Sequence, residues 1–316
     1  MKIKKLLSKY GILVILLVLI VIFGAGNSAF LTVGNFINIL RQIAILAIIT
    51  IGMSCVLIAG GIDLSVGAQL AFVGVVSATL CTSMNVPPLL ACLIGVILAT
   101  VVGIINGLFI SYTHVPPLIA TLATQRILNG LSYIISGGRP IYGLDEKIQF
   151  IGQGYVGAIP FPVILMVVCI ILGFILLNKT YMGRSFYVIG SNEEVGRLSG
   201  LKTKLVSTVA YGICGFLSGI GAIIMMSRIN SGSPTVGNGY EMDVLTAAVL
   251  GGVSVSGGEG GLFGAIVGAL IIGVLSNGLI ILNVSEYYQM VIKGIVLALA
   301  VTFDSIKNGK IKIGGE

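Results

Sequence analysis

Ionisable side chains are scarce in this sequence, and one of them, Asp63, stands alone in the apolar stretch Gly60-Gly61-Ile62-Asp63-Leu64-Ser65-Val66-Gly67. A charge near a bilayer centre costs about 2.5–3.5 kcal/mol, so it needs a partner or a task. Asp63 has two readings: a gate or ligand contact, or a carboxylate satisfied by Ser65 and by the free N–H groups that open a following helix. A second stretch repeats the pattern of apolar lead-in, double glycine, serines and glycines: Gly251-Gly252-Val253-Ser254-Val255-Ser256-Gly257-Gly258. Gly-interrupted hydrophobic segments in corresponding positions of two halves point to a substrate pathway; the alternative is two unrelated turns. The pathway candidates are therefore Asp63, Ser65, Gly251, Gly252, Ser254, Ser256 and Gly257, with Asn277 as an amide inside a later apolar run. Arg126 and Lys293 are cations in apolar surroundings, expected to pair with an acid such as Asp63 or Glu286 or to extend to an interface.

Hydrolytic motifs are missing. There is no GxxxxGK[ST] phosphate loop, no HExxH and no paired-cysteine metal site. An intramembrane serine protease would have to join Ser218 or Ser254 to His114, the single histidine, and no GxSG surrounds either serine. Cys55, Cys81, Cys92, Cys169 and Cys214 all lie in apolar runs and read as small buried hydrophobes. No catalytic residue, metal ligand or cofactor is expected. A last group of residues suits a partner protein: Gly190-Ser191-Asn192-Glu193-Glu194-Val195-Gly196-Arg197-Leu198-Ser199-Gly200. Ser191 or Asn192 caps, Glu193 and Glu194 suit a helix start, Arg197 the last turn, and Gly200 the position after it. The expectation is a surface helix of two turns at most.

The elements that must carry these residues are membrane helices. Only 9% of the chain is charged and 56% is hydrophobic, and Gly11–Phe23, Ile43–Ala59, Pro162–Leu177 and Ile266–Ile281 hold no charge. Such runs match a hydrocarbon core about 30 Å thick, and a helix closes its own backbone hydrogen bonds there. About ten hydrophobic elements are expected, near 11–30, 38–59, 64–82, 88–112, 116–136, 162–178, 205–228, 243–256, 261–283 and 287–304. Twelve of the eighteen Lys and Arg cluster at Lys2, Lys4, Lys5 and Lys9, at Lys179, Arg184, Arg197, Lys202 and Lys204, and at Lys307, Lys310 and Lys312. Cytoplasmic loops carry this excess, which excludes a nucleic-acid role for the net charge of +7. Six elements before the loop 178–204 and four after it put both termini and that loop inside, and 137–161 and 229–242 outside. The first of these outer segments is a connector or a docking surface. The basic, apolar N-terminus reads as a retained first helix rather than a cleaved signal. Gly103/Gly107, Gly215/Gly219 and Gly264/Gly268 form GxxxG pairs that permit close helix contact.

Four segments, GGIDLSVGAQLA (60–71), VPPLIATLATQRILNGLSYIISGGRPI (115–141), GSNEEVGRLSGLK (190–202) and the long stretch 251–301, resemble the bacterial ribose-type sugar permeases of ATP-binding-cassette importers. The resemblance runs in order from about residue 30 to 305. It implies an all-α polytopic membrane protein of about ten transmembrane helices, forming one domain over 1–316, in the bacterial cell membrane. It implies three partners besides lipid: a cytoplasmic ATP-binding subunit, an extracytoplasmic sugar-binding protein and a second permease copy. The loop 178–204 then corresponds to the coupling segment, with Gly190, Asn192, Glu193, Glu194, Arg197, Leu198 and Gly200 facing the ATPase. The small residues often found in that motif are replaced by Glu194, Val195 and Gly196. A stand-alone transporter driven by an ion gradient is the second reading, and Asp63 is the main carboxylate it would have.

Overall fold

The structure is a computed structural model that describes residues 2–307. Lys310 and Lys312 of the last basic cluster lie outside the described residues. Thirteen helices follow one another: α1 (Lys2–Gly26), α2 (Val33–Ile58), α3 (Val66–Thr82), α4 (Pro88–Thr113), α5 (Pro117–Ser136), α6 (Glu146–Gln153), α7 (Phe161–Lys179), α8 (Tyr181–Ser191), α9 (Glu193–Leu198), α10 (Thr203–Ile229), α11 (Tyr240–Leu250), α12 (Leu262–Ile281) and α13 (Glu286–Lys307). Each of the ten expected hydrophobic elements coincides with a helix. Six of them, α2, α4, α7, α10, α12 and α13, are long and apolar enough to cross a membrane. The apolar parts of α1 and α3 are shorter, and α11, at 11 residues, reaches only about 16 Å.

Local chemistry sets the ends. Helix α4 stops at His114, whose φ of 57° closes it in the left-handed region, and α5 restarts two residues later with Pro117 in its first turn. The element expected over 243–256 ends early, at Leu250, because Gly252 turns the chain at φ 85°. Within the two expected connectors the structure adds elements. Segment 137–161 contains α6, capped by Asp145 on the Lys147 N–H at 2.8 Å, and a hairpin pairing Tyr155–Val156 with Ile159–Pro160. Segment 178–204 contains α8, capped by Thr180 on the Gly183 N–H at 3.0 Å.

Helix α2 is the centre of the bundle: 83% of its apolar window is buried, against 6% for α13 at the edge. Between α4 and α10 two GxxxG pairs interlock. A Cβ on Gly103 would stand 2.3 Å from the Tyr211 carbonyl oxygen, and one on Gly215 2.3 Å from that of Ala99. The third pair works against α11, since a Cβ on Gly268 would fall 1.9 Å from the Ala247 carbonyl oxygen. Lipid tails are as apolar as leucine, so backbone approach of this kind supplies the packing that a hydrophobic drive supplies in water.

The loops segregate to two ends. At one end α8, continued by α9, meets the α2–α3 break and the α11–α12 loop, where the Gly258 N–H donates to the Ile58 carbonyl at 2.9 Å and the Tyr187 hydroxyl to that of Gly260 at 3.0 Å. The α4–α5 turn lies there too, with Lys204 over the Tyr112 ring at 4.4 Å. At the other end α6 sits on the C-terminus of α10, where the Gly152 N–H donates to the Ser227 hydroxyl at 2.6 Å. Arg41 binds the Gln153 carbonyl there at 2.7 Å and lies over the Tyr155 ring at 4.7 Å.

Segment 229–242, read from the sequence as a connector between helices, packs along α3. A Cβ on Gly232 would stand 2.6 Å from Ala78 Cβ, while one on Gly237 would stand 2.3 Å from the Gly67 carbonyl oxygen and 3.0 Å from Leu70 Cβ. From Ala78 to Leu70 along a helix is roughly 12 Å. Its glycines let its backbone lie directly on that of α3.

Candidate functional site: the broken helices and the coupling segment

Asp63 is fully buried in the α2–α3 break. Its Oδ1 accepts from the Ser65 N–H at 2.9 Å and from the Ser65 hydroxyl. It thus braces the turn before α3 rather than an N–H within the helix. Ser65 Oγ also accepts from Gln69 Nε2 at 2.9 Å and Asn106 Nδ2 at 3.1 Å. The chain of bonds continues through Asn106 Oδ1 to the Thr124 hydroxyl at 2.6 Å. Beside it the Ile62 carbonyl accepts from Tyr211 at 3.3 Å and Thr121 at 3.4 Å. The break is therefore tied by polar bonds to α4, α5 and α10. Sequence reasoning missed Asn106, Thr124 and Tyr211; nothing local distinguishes them, because their partner is distant in the chain.

The α11–α12 loop is braced in a comparable way. Asp304 on α13 accepts from Ser254 Oγ and from the Val255 N–H, each at 3.3 Å. Ser254 is buried and Ser256 exposed. Gly251 packs on α12, where its Cβ would stand 2.4 Å from the Gly264 carbonyl. Asn277 lies elsewhere: it exchanges two amide hydrogen bonds with Asn35, at 2.9 and 3.0 Å, and clasps α12 to α2.

Lys293 pairs with Asp243 at 2.7 Å, correcting the expected partners Asp63 and Glu286. Asp63 is occupied by Ser65, and Glu286 lies seven residues back on the same helix. Arg126, expected to be buried, is exposed on α5. Ser218 is level with Ala99, which its neighbour Gly219 would touch with a Cβ at 2.9 Å. His114 closes α4 at its far end, about 22 Å along that helix from Ala99, so Ser218 and His114 do not meet.

Helix α9 is built as its residues demand. Asn192 caps it, accepting from the Val195 N–H at 3.1 Å. Leu201 N–H reaches the Gly196 carbonyl at 3.1 Å and Gly200 N–H that of Arg197 at 3.0 Å. That pair of bonds, with Gly200 at φ 81°, is a Schellman stop. Arg197 grips Glu194 through two bonds, at 2.6 and 3.1 Å, and this holds the Glu194 carboxyl below the usual carboxylate range. Every residue of α9 except Gly196 is exposed, including Val195 at 52% and Leu198 at 77%.

Comparison with known proteins places this geometry. The profile of a family described as the permease component of a branched-chain amino acid transport system matches residues 35–301. The chain is 43% identical over 304 residues to the ribose import permease protein RbsC of Bacillus subtilis (strain 168), covering 96% of this chain and 94% of that one. It is 38% identical to the ribose import permease protein RbsC of Escherichia coli (strain K12), covering 93% of each, and 35% identical to the D-allose transport system permease protein AlsC of the same strain, over 95% and 92%. No solved structure matches the chain. The chain belongs to this family of transport-system permeases, in its ribose-type ATP-binding-cassette branch. It is a multi-pass protein of the bacterial cell membrane, and its part in the transport system is that of the permease.

Proposed function

We propose that the chain forms the translocation pathway of an ATP-driven importer for a simple sugar, ribose first, and that it passes the work of a separate ATPase to that pathway through α9. The ribose and allose relatives support the substrate class. The observation that carries the coupling is α9 itself: a capped, rigid helix with Val195 and Leu198 uncovered beside the Glu194–Arg197 pair. Exposed apolar side chains rimmed by charge mark a protein contact. The loops gathered at that end are the cytoplasmic ones in this reading, ten helices cross or enter the membrane, and both termini are cytoplasmic. The other end, with α6 and the hairpin, receives a sugar-binding protein. A second permease copy completes the pathway. Two grooves of the single chain, between α4 and α10 and between α7 and α10, are almost wholly apolar, lined by residues such as Ile104, Ile213 and Phe216 or Leu165, Leu172 and Leu217. They suit acyl chains and not a sugar.

ATP-driven closure of two ATPase subunits shifts the balance between two permease arrangements, open to opposite sides. The sugar needs only weak contacts in the pathway, because capture belongs to the external protein. Co-purification tests the docking surface. Arg197→Glu is expected to lower recovery of the ATPase on the tagged permease severalfold, and Leu198→Asp to do the same. Full recovery with both would remove α9 from the interface.

A further inference from the structure

The segment between α10 and α11 carries polar groups that have no place against lipid. Non-helical backbone at membrane depth is tolerated only where it is covered by protein or lines a water-filled cavity. Ser231, Gly232, Ser233 and Pro234 meet the first condition, being buried against α3 and its neighbours. Thr235, Asn238 and Gly239 do not: they are exposed on the surface of the chain. They lie next to the point where Gly237 rests on Gly67 and Leu70, at the first turn of α3. From there to the end of α3 at Thr82 is roughly 20 Å of helix, which in the permease reading above corresponds to membrane depth.

A buried carboxylate stands behind this stretch. Glu241, three residues beyond Asn238, is 7% exposed; its Oε1 accepts from Gln125 Nε2 on α5 at 2.9 Å, and its buried Oε2, which lies against Gly67, has no hydrogen-bond partner. The hydroxyl of Thr235 and the amide of Asn238 supply both donors and acceptors, the mixture that vicinal hydroxyls require.

We infer that Thr235 and Asn238, with the buried Glu241 behind them, form the sugar-contacting stretch of the translocation pathway, and that their natural ligand is a polyhydroxylated ring in transit. This rests on the permease reading above and names the site within it. The pathway candidates Asp63 and Ser65 then stand behind this surface as its support, since their bonds through Asn106 and Thr124 hold α5 and α3 together.

Thiol accessibility tests it without disturbing the core. Thr235→Cys and Asn238→Cys are placed singly in a chain whose half-buried Cys81 is serine, with Leu299→Cys on the exposed face of α13 as the lipid-facing control. The complete transporter in proteoliposomes is treated with a cationic, membrane-impermeant methanethiosulfonate. Both pathway cysteines are expected to react, the Leu299→Cys control to stay unreacted, and ribose-loaded binding protein with ATP to slow the reaction severalfold. Asn238→Leu is expected to lower ribose uptake severalfold while the ATPase remains bound. Pathway cysteines as inert as the control would overturn the inference, and so would reaction unaffected by sugar together with full uptake in Asn238→Leu. Failure of the permease reading is separate: the unmodified complex would then show no ATP-dependent uptake at all.

Discussion

Gly190→Ala is expected to lower ATP-driven transport at least tenfold while the ATPase stays bound. Gly190 is the last residue but one of α8, two residues before the cap of α9, and it lies where three backbones touch. A Cβ there would fall 1.8 Å from the Ile58 carbonyl oxygen and 2.6 Å from the Gly258 nitrogen. Those two atoms are already bonded to each other at 2.9 Å, and Gly60 and Gly257 close the same contact, with Cβ positions 3.4 and 2.6 Å from Gly190 atoms. At Gly190 these contacts are between backbones, with no side chain to give way. In the proposed coupling, movement of α9 would reach both breaks through α8, to which the Asn192 N–H is bonded at the Val188 carbonyl at 3.1 Å. Overpacking costs about 1–3 kcal/mol. If only one of two arrangements bears it, the balance between them moves by roughly ten- to a hundredfold. Tyr187→Phe, which removes only the hydroxyl bond to Gly260, is expected to slow transport less. The check is uptake per ATP hydrolysed; normal coupling in Gly190→Ala would show that the junction transmits nothing.

The second large effect concerns stability. Helix α13 buries little of itself, so its polar anchors matter more than usual. Lys293→Met leaves Asp243 without its cation in a site where the two side chains are 25% and 17% exposed. Removing one partner of a buried pair costs about 3–5 kcal/mol, while replacing both with apolar groups is often neutral. The partial exposure here places the loss near the lower figure, about 3 kcal/mol. Lys293→Met/Asp243→Leu is expected to recover most of it. Thermal unfolding followed by a thiol-reactive dye reads this out, since Cys55 and Cys214 are fully buried in the folded chain. Equal losses in the single and double variants would show that packing, not the ion pair, anchors α13.

How far these features were visible in the residues varies with the range of the forces behind them. Apolar runs bounded by Gly, Pro and charge located all ten hydrophobic helices, because length and hydropathy are local. The α9 cap and stop were legible for the same reason, from Asn192, Glu193 and Gly200. Helices α6 and α8 were missed, although Asp145 and Thr180 are ordinary cap residues; both helices are short and sit in segments whose charges read as loop. The packing of 231–239 was not legible at all. Its Ser, Gly, Pro and Asn are those of an external turn, and only contact with Gly67, Leu70 and Ala78 lays it along α3. The pairing of Gly103 with Gly215 and of Lys293 with Asp243 likewise depends on which helices meet, and spacing within one helix does not carry that.

The most direct test of the central claim is uptake of labelled ribose into proteoliposomes holding this chain, its cognate ATPase and the loaded binding protein. The account predicts uptake that requires ATP, stops when the ATPase is omitted, and falls with Arg197→Glu. Uptake by this chain alone that collapses when an ion gradient is dissipated would contradict it and make the protein a secondary transporter.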